Sequence, residues 1–314
     1  MIAVEFDRYG SSAELVVREV AEPEEPGAGC LRIRVVATSV NPKDTFVRKG
    51  RFAGAMSETF PKRVGYDWAG TVEALGAGVT GFAAGDKAFG MVNGWEGGTC
   101  AARIDVRADE AARLARTSDL IEAAALPLAA QTALQALHDA GRLERGGRVL
   151  VNGASGGVGL FAIAIARAAG ANVVAVASRE NAELCLAAGA EAFVDYRDDP
   201  DFAGHGHFDV VFDVFGNLKY ERLCERLAER GTFLSTVPSA ATFDAVASTP
   251  GDVGRRARLV AVRSRRADLE RVARMFEARD LRVHVDRTYP IRAIAAAHDH
   301  VERKHTRGKV IVTP

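Results

Sequence analysis

The chain reads as an α/β protein: a β-rich opening segment, then a doubly wound parallel sheet. Three observations predict this. An apolar strand runs into a glycine-rich turn and straight into a helix at Val149-Leu-Val-Asn-Gly-Ala-Ser-Gly-Gly-Val-Gly159. From there to about residue 236, short β runs alternate with helical stretches. Before it, the seven glycines 65, 70, 76, 78, 81, 85 and 90 separate short β runs, as tight turns in a small barrel do.

Taken in order, Leu31–Ala37 (LRIRVVA) alternates apolar and polar residues and suits a strand with one buried face. Ala69–Leu75 and Lys87–Met91 are further strands. From about Ile121 the texture becomes alanine-rich and helical. Arg148–Asn152 is a buried strand, and Val158, Phe161, Ala162, Ile165, Ala166 and Ala169 repeat at helical spacing until Gly170 closes the helix. Strands at Asn172–Ala177, Glu191–Asp195, Phe208–Val214 and Thr232–Thr236 follow, with helices at Ala182–Ala188 and Leu218–Glu229. Leu259–Val262 reads as a strand inside the basic stretch Arg255–Arg266, whose charges read as solvated flanks. A helix at Ile291–Lys304 and a strand at Lys309–Thr313 end the chain. This order implies one domain from 1–121 and 266–314, and a second from 122–265.

Length and charge narrow the possibilities. At 314 residues there is room for two domains, and 41 basic against 41 acidic residues argue against a nucleic-acid partner. No run approaches the roughly 18 apolar residues that span a bilayer, so no membrane partner is expected. The N-terminus reads as neither signal nor transit peptide. Cys30, Cys100, Cys185 and Cys224 show no paired spacing, which points to a reducing cytoplasm.

The glycine turn carries most of the functional information. A turn of this kind leaves backbone N–H groups open at the positive end of a helix, a seat for a pyrophosphate, so Gly153, Ser155, Gly156, Gly157 and Val158 are candidate cofactor contacts. At the end of the second strand, where NAD-preferring proteins place Asp or Glu for the ribose hydroxyls, stands Ala177-Ser178-Arg179. Ser178 offers a hydroxyl and Arg179 a permanently charged fork to a 2′-phosphate, which predicts NADPH; Arg179 also reads as a plain surface charge.

Val40-Asn-Pro-Lys-Asp44, Gly65-Tyr-Asp-Trp-Ala-Gly70, Gly85-Asp-Lys-Ala-Phe-Gly90, Ala125-Leu-Pro127, Gln131-Thr-Ala133, the glycine turn and Arg307-Gly-Lys-Val310 together resemble the medium-chain dehydrogenase/reductase superfamily, over essentially the whole chain. The resemblance is to its zinc-free quinone and enone reductase branch. It implies a GroES-like β-barrel catalytic domain beside a Rossmann domain, and commonly a homodimer. It further implies that Thr132 faces the nicotinamide, although a threonine bonded within its own helix is an equal reading. Tyr196 and Lys309 are implied contacts to the adenosine end, and Phe215, Gly216, Ser235 and Val237 are implied along the cofactor.

In the zinc enzymes of the superfamily, metal ligands sit near Val40–Pro42, at Gly65-Tyr66-Asp67 and near Leu128. Here those places lack Cys and His, so no metal is expected. A reductase acting on an already polarised quinone or α,β-unsaturated carbonyl needs orientation and donors for the developing oxyanion. Asn41 and Tyr66 are the candidate catalytic residues. Asn41 before Pro42 equally suits a helix N-cap, and Tyr66 equally suits the core. Asp67 and Asp86 read as turn caps, Lys43 and Asp44 carry no assigned role, and Ala53–Phe60 reads as a loop near the cleft. The alternative function is an NADPH-binding sensor without turnover.

Overall fold

The computed structural model describes residues 1–249 and 251–314. The chain divides into two compact units. The first is Met1–Leu128 with Arg263–Ala278 and Val283–Pro314; the second is Ala129–Val262 with Arg279–Arg282.

The first unit is built on strands β1 (Ile2–Phe6), β2 (Val16–Glu19), β3 (Cys30–Val40), β4 (Lys62–Arg63), β5 (Asp67–Leu75), β6 (Lys87–Met91), β7 (Arg103–Arg107) and β8 (Ala111–Arg113). Strand β3 is the spine. Its first half alternates as expected, with Leu31, Ile33 and Val35 buried in a cluster with Trp68, Val72, Ile104 and Val106. Its outward Arg32 sits opposite Asp105 of β7 and donates to it at 2.8 Å, a cross-strand pair of opposite charge.

The second unit holds β9 (Arg148–Asn152), β10 (Asn172–Ala177), β11 (Ala192–Asp195), β12 (Phe208–Asp213), β13 (Leu227–Ser235) and β14 (Arg256–Leu259) in the order β11-β10-β9-β12-β13-β14, all neighbours parallel. The strand order reverses between β9 and β12. At such a switch point the carboxyl ends of the strands open a crevice for ligands. Leu150, Val174, Val176, Phe208, Val211, Leu227 and Phe233 make its core.

Strands β15 (Val285–Pro290) and β16 (Lys309–Thr313) return to the first unit. β16 pairs antiparallel with β3, Val310 opposite Val40 and Ile311 opposite Ser39, which brings Lys309 alongside Asn41.

Three sequence expectations need correction. The helix expected at Leu218–Glu229 is one turn at Tyr220–Leu223 and a 3₁₀ turn at Cys224–Arg226, after which the chain is already strand. Leu227 is fully buried and pairs with Phe208, so burial and sheet pairing override the helical propensity of the segment. The strand expected at Leu259–Val262 is Arg256–Leu259, because its partner β13 ends at Ser235, opposite Leu259. Its Arg256 is no solvated flank: it is buried and donates to Thr232 Oγ1 and to Arg230 O, both at 3.1 Å. The C-terminal helix runs Ile294–Glu302, with a 3₁₀ turn at Ile291–Ala293 before it. No helix among the described residues is long and apolar enough to cross a membrane.

Candidate functional site

In the first unit, three strand ends meet at one buried carboxylate. Asp67 opens β5, fully buried, and its Oδ2 accepts from Ser39 Oγ at 2.5 Å, Asn41 Nδ2 at 2.9 Å and Lys309 Nζ at 3.5 Å. Its Oδ1 accepts the Leu128 backbone N–H at 2.7 Å. The Asp67 carbonyl accepts from Thr38 Oγ1 at 2.6 Å and Thr99 Oγ1 at 2.7 Å. Asp67 was expected as a turn cap; it is instead the hub of a network. A carboxylate removed from water is stable only when its lone pairs are taken up in this way. Asp86 does cap a turn, accepting from the Ala83 N–H at 2.9 Å.

Asn41 precedes the helix Pro42–Arg48, whose end is closed by Asp44: one carboxylate oxygen accepts the Asn41 N–H at 2.8 Å, the other the Gly65 N–H at 3.0 Å. The Asn41 side chain, part of the same capping box, also faces the Asp67 network, and its Oδ1 accepts from Lys309 Nζ at 2.5 Å. Burial pushes the Asp44 carboxyl up to about 6 and the Lys309 ammonium down. Lys309, expected at the adenosine end of a cofactor, is a buried member of this network. The register of β16 on β3 dictates that, and sequence spacing does not reveal it.

Tyr66 also needs correction. Its ring is fully buried and its hydroxyl donates to the Trp95 carbonyl. A phenol has one proton, and this one is spent on the backbone. Burial pushes the phenol up, further from proton transfer near neutrality. Beside it, Lys43 places Nζ 3.7 Å from the Tyr66 ring centroid and donates to Gly94 O at 2.7 Å.

In the second unit, Gly153 follows β9 with φ +79°, a left-handed turn that suits glycine. The helix Gly157–Ala168 begins with Gly156 as its N-cap and no side chain closing its first turn. Ser155, Gly156, Gly157 and Val158 are half-buried there. A Cβ on Gly159 would come within 2.3 Å of the Gly153 carbonyl, so only glycine lets helix and turn approach this closely. The result is an open, positive helix end with no Cβ on the two residues that start it, a shape that fits a pyrophosphate.

At the end of β10, Ser178 Oγ accepts from Asn181 Nδ2 at 2.9 Å, and the exposed Arg179 donates its N–H to Asp195 at 3.0 Å and its guanidinium to Asp198. Asp195, at the end of β11, is gripped by the Arg197 guanidinium through both oxygens at 2.9 Å, which holds its carboxyl down to about 2. Tyr196 is exposed, with the Arg197 guanidinium 5.4 Å from its ring centroid. Arg197 was not singled out from sequence; its place two residues beyond the end of a parallel strand was the available signal.

Asp213, at the end of β12, organises the next loop. It accepts from Asn152 Nδ2 at 2.7 Å, Gly216 N–H at 2.8 Å and Leu218 N–H at 2.9 Å. Phe215 is left exposed. Ser235 is buried and its Oγ accepts the Val237 N–H at 3.2 Å, at the end of β13. Gly153, Phe215, Gly216, Ser235 and Val237 thus follow the carboxyl ends of three adjacent strands. Thr132 is buried in the helix Pro127–Leu134.

Comparison with known proteins agrees with this geometry. Residues 27–116 match the alcohol dehydrogenase GroES-like domain family and residues 188–312 the zinc-binding dehydrogenase family. The chain is 30% identical over 247 residues to the chloroplast envelope quinone oxidoreductase homolog of Arabidopsis thaliana, covering 76% of this chain and 75% of that protein. The solved quinone oxidoreductase from Coxiella burnetii superposes with TM-score 0.91 at 28% identity, covering 100% of this chain and 99% of that one. Mycobacterial Rv1454c complexed with NADPH superposes with TM-score 0.85 at 26% identity over the full length of both chains. Fold and relatives define the class, an NAD(P)H-dependent oxidoreductase. The chain belongs to the medium-chain dehydrogenase/reductase superfamily, in its quinone oxidoreductase branch.

One family description names zinc. Among the described residues, no three His, Cys, Asp or Glu side chains are grouped as a metal needs.

Proposed function

We propose that the chain is an NADPH-dependent reductase that transfers hydride to a quinone or an α,β-unsaturated carbonyl without zinc. The observation that carries the reading is the company Asp67 keeps. It is the one carboxylate left at the ligand positions of the zinc enzymes, and it is saturated by Ser39, Asn41, the Leu128 N–H and the Lys309 ammonium. Its negative charge thus faces a fixed internal cation, Lys309.

NADPH is the preferred carrier in this reading. The end of β10 offers Ser178 and Arg179 and no acid, and Arg179 is exposed, with its short ion pair to the exposed Asp198 to exchange for a 2′-phosphate. Gly153, Ser155, Gly156, Gly157 and Val158 would hold the pyrophosphate. Tyr196 would border the adenosine, and Thr132, Phe215, Gly216, Ser235 and Val237 would line the remainder. The bound cofactor supplies the hydride; this chain's residues bind and orient. Asn41 is the residue we assign to substrate or ribose orientation, because its amide is clamped at both ends and pre-organised. The four cysteines lie far apart in the sequence with no paired spacing, which supports a reducing compartment, and we place the protein in the cytoplasm.

The test is NADPH oxidation by the purified protein, followed at 340 nm with a panel of quinones and enones. Turnover with several planar acceptors, and a preference for NADPH over NADH, is expected. Tight NADPH binding with no oxidation across the panel overturns the reading and establishes a nucleotide sensor instead.

A further inference from the structure

Lys43 has no role in anything argued so far, yet its surroundings are unusual for a lysine. It sits on the first turn of the helix Pro42–Arg48, two residues after Asn41, and is half-buried. Its Nζ lies 3.7 Å from the Tyr66 ring centroid and 5.3 Å from that of Trp95. Phe52 stacks on Trp95 at 3.9 Å and 18°, and both rings are half-buried. The ammonium donates one of its three protons to Gly94 O at 2.7 Å. Lysines normally hold their charge out in water at the end of a flexible stem. Here the charge is drawn in among aromatic faces, where it is partly dehydrated and held in one place.

We propose that Lys43 is a catalytic residue of the reductase: its ammonium meets the carbonyl oxygen of a planar conjugated acceptor resting against Trp95 and Phe52, and protonates it as hydride arrives. The inference rests on the reductase reading above. In the step, hydride from NADPH adds to the acceptor carbon and the π electron pair moves onto the oxygen. Lys43 Nζ–H gives its proton to that oxygen, leaving an enol, NADP⁺ and a neutral amine. From a quinone the enol is a hydroxy-dienone, which loses a proton to water from the carbon that took the hydride and gains one from water on its remaining carbonyl oxygen, giving the hydroquinone. Water then returns a proton to the amine. Position and chemistry agree. Planar quinones and aryl enones have faces suited to tryptophan, and a partly dehydrated cation stabilises a nascent oxyanion more than a solvated one does.

The electrostatics support the step. Burial brings the ammonium down to about 8, while Asp44, Asp67 and Glu110 pull it up. Tyr66 and Trp95 face it with uncharged rings, and Tyr66 in turn feels Asp44 and Glu96. An acid that titrates near 8 is matched to donating a proton at neutral pH.

The experiment compares wild type with Lys43→Met, Lys43→Gln and Lys43→Arg. For a planar quinone, kcat/KM of the Met and Gln variants should fall at least about tenfold, with NADPH affinity unchanged. The wild-type alkaline limb near pH 8 should vanish in both and move upward in Lys43→Arg. A limb that persists in Lys43→Met overturns the proposal. A second readout needs no turnover: titration with 4-nitrophenol, followed through its phenolate absorbance band. The wild type should bind the phenolate form at least about tenfold more tightly than Lys43→Met, and equal binding also overturns the proposal. If the wild type reduces no acceptor yet binds phenolate through Lys43, the reductase reading fails and the anion-binding role of Lys43 stands.

Discussion

Lys309 and Asn41 are joined by a 2.5 Å hydrogen bond from Nζ to Oδ1, and the opposite end of the same amide donates to Asp67 at 2.9 Å. The amide therefore has one orientation: its oxygen must face the ammonium and its nitrogen the carboxylate. The three residues come from the start of β16, the end of β3 and the start of β5, so the sheet itself fixes their separation.

Removing one member of such a buried pair strands the other. Lys309→Met leaves Asp67 with its neutral donors alone and should lower unfolding stability by about 3 kcal/mol. Asp67→Asn should also destabilise. The double variant should cost clearly less than the sum of the two, because neither charge is then left alone. Urea unfolding of all four proteins checks this, and simple additivity would mean the ammonium and carboxylate do not interact.

Tyr66→Phe tests whether the phenol is structural. The variant loses the hydrogen bond to Trp95 O and should be about 1 kcal/mol less stable, while the ring that faces Lys43 remains. The loss in kcat/KM should stay under about tenfold, whereas a general acid at this position would cost about 100-fold or more. A loss of that larger size would restore the phenol as proton donor.

How much of this was legible beforehand follows from the range of each interaction. The strands Lys87–Met91, Arg148–Asn152, Asn172–Ala177 and Lys309–Thr313 carry local signals, apolar runs bounded by glycine or turns, and the structure has them at those bounds. The segment Leu218–Glu229 failed because its helical spacing is local while the anchor of Leu227 against Phe208 is not. The glycine turn was readable for the same reason as the strands: turn, cap and helix are contiguous. The Asp67 network was not. Ser39, Asn41, Asp67, Leu128 and Lys309 meet only through strand register, which no spacing rule contains, so Asp67 looked like a turn residue and Lys309 like a distant nucleotide contact.

Arg179 is the residue on which cofactor choice should turn. It is the charged side chain next to Ser178 at the end of β10; its guanidinium pairs with the exposed Asp198 and stands 3.8 Å from the buried Asp195, whose two oxygens Arg197 already holds. Arg179→Ala should reduce the ratio of kcat/KM for NADPH over NADH by about ten- to a hundredfold, the range expected for losing charge-assisted hydrogen bonds to a phosphate. Arg197 is committed through both of its forks to Asp195, so its presence should not rescue the variant. Steady-state rates with each cofactor decide the matter, and an unchanged ratio would reduce Arg179 to a surface charge.

His298 gives the fold a defined response to acid. It is buried in the helix Ile294–Glu302, and burial, with the positive Arg48 nearby, lowers its imidazole from 6.5 to about 3. Below pH 6.5 the unfolded chain therefore takes up a proton that the folded chain refuses. The stability of the neutral form is fully present above 6.5 and drains away as pH falls towards 3, at ~1.4 kcal/mol per pH unit. Asp44 works in the opposite direction. Its carboxyl is raised from 3.8 to about 6, so the folded chain holds a proton there that the unfolded chain has released, and stability falls as pH rises through that window. Between about 4 and 6 the two slopes offset each other in the wild type. His298→Leu removes one of them. Its unfolding free energy should then decline from pH 4 to pH 6 by ~1.4 kcal/mol per unit relative to the wild type, measured by urea unfolding at each pH. Parallel pH profiles for the two proteins would show that His298 titrates normally in the folded chain.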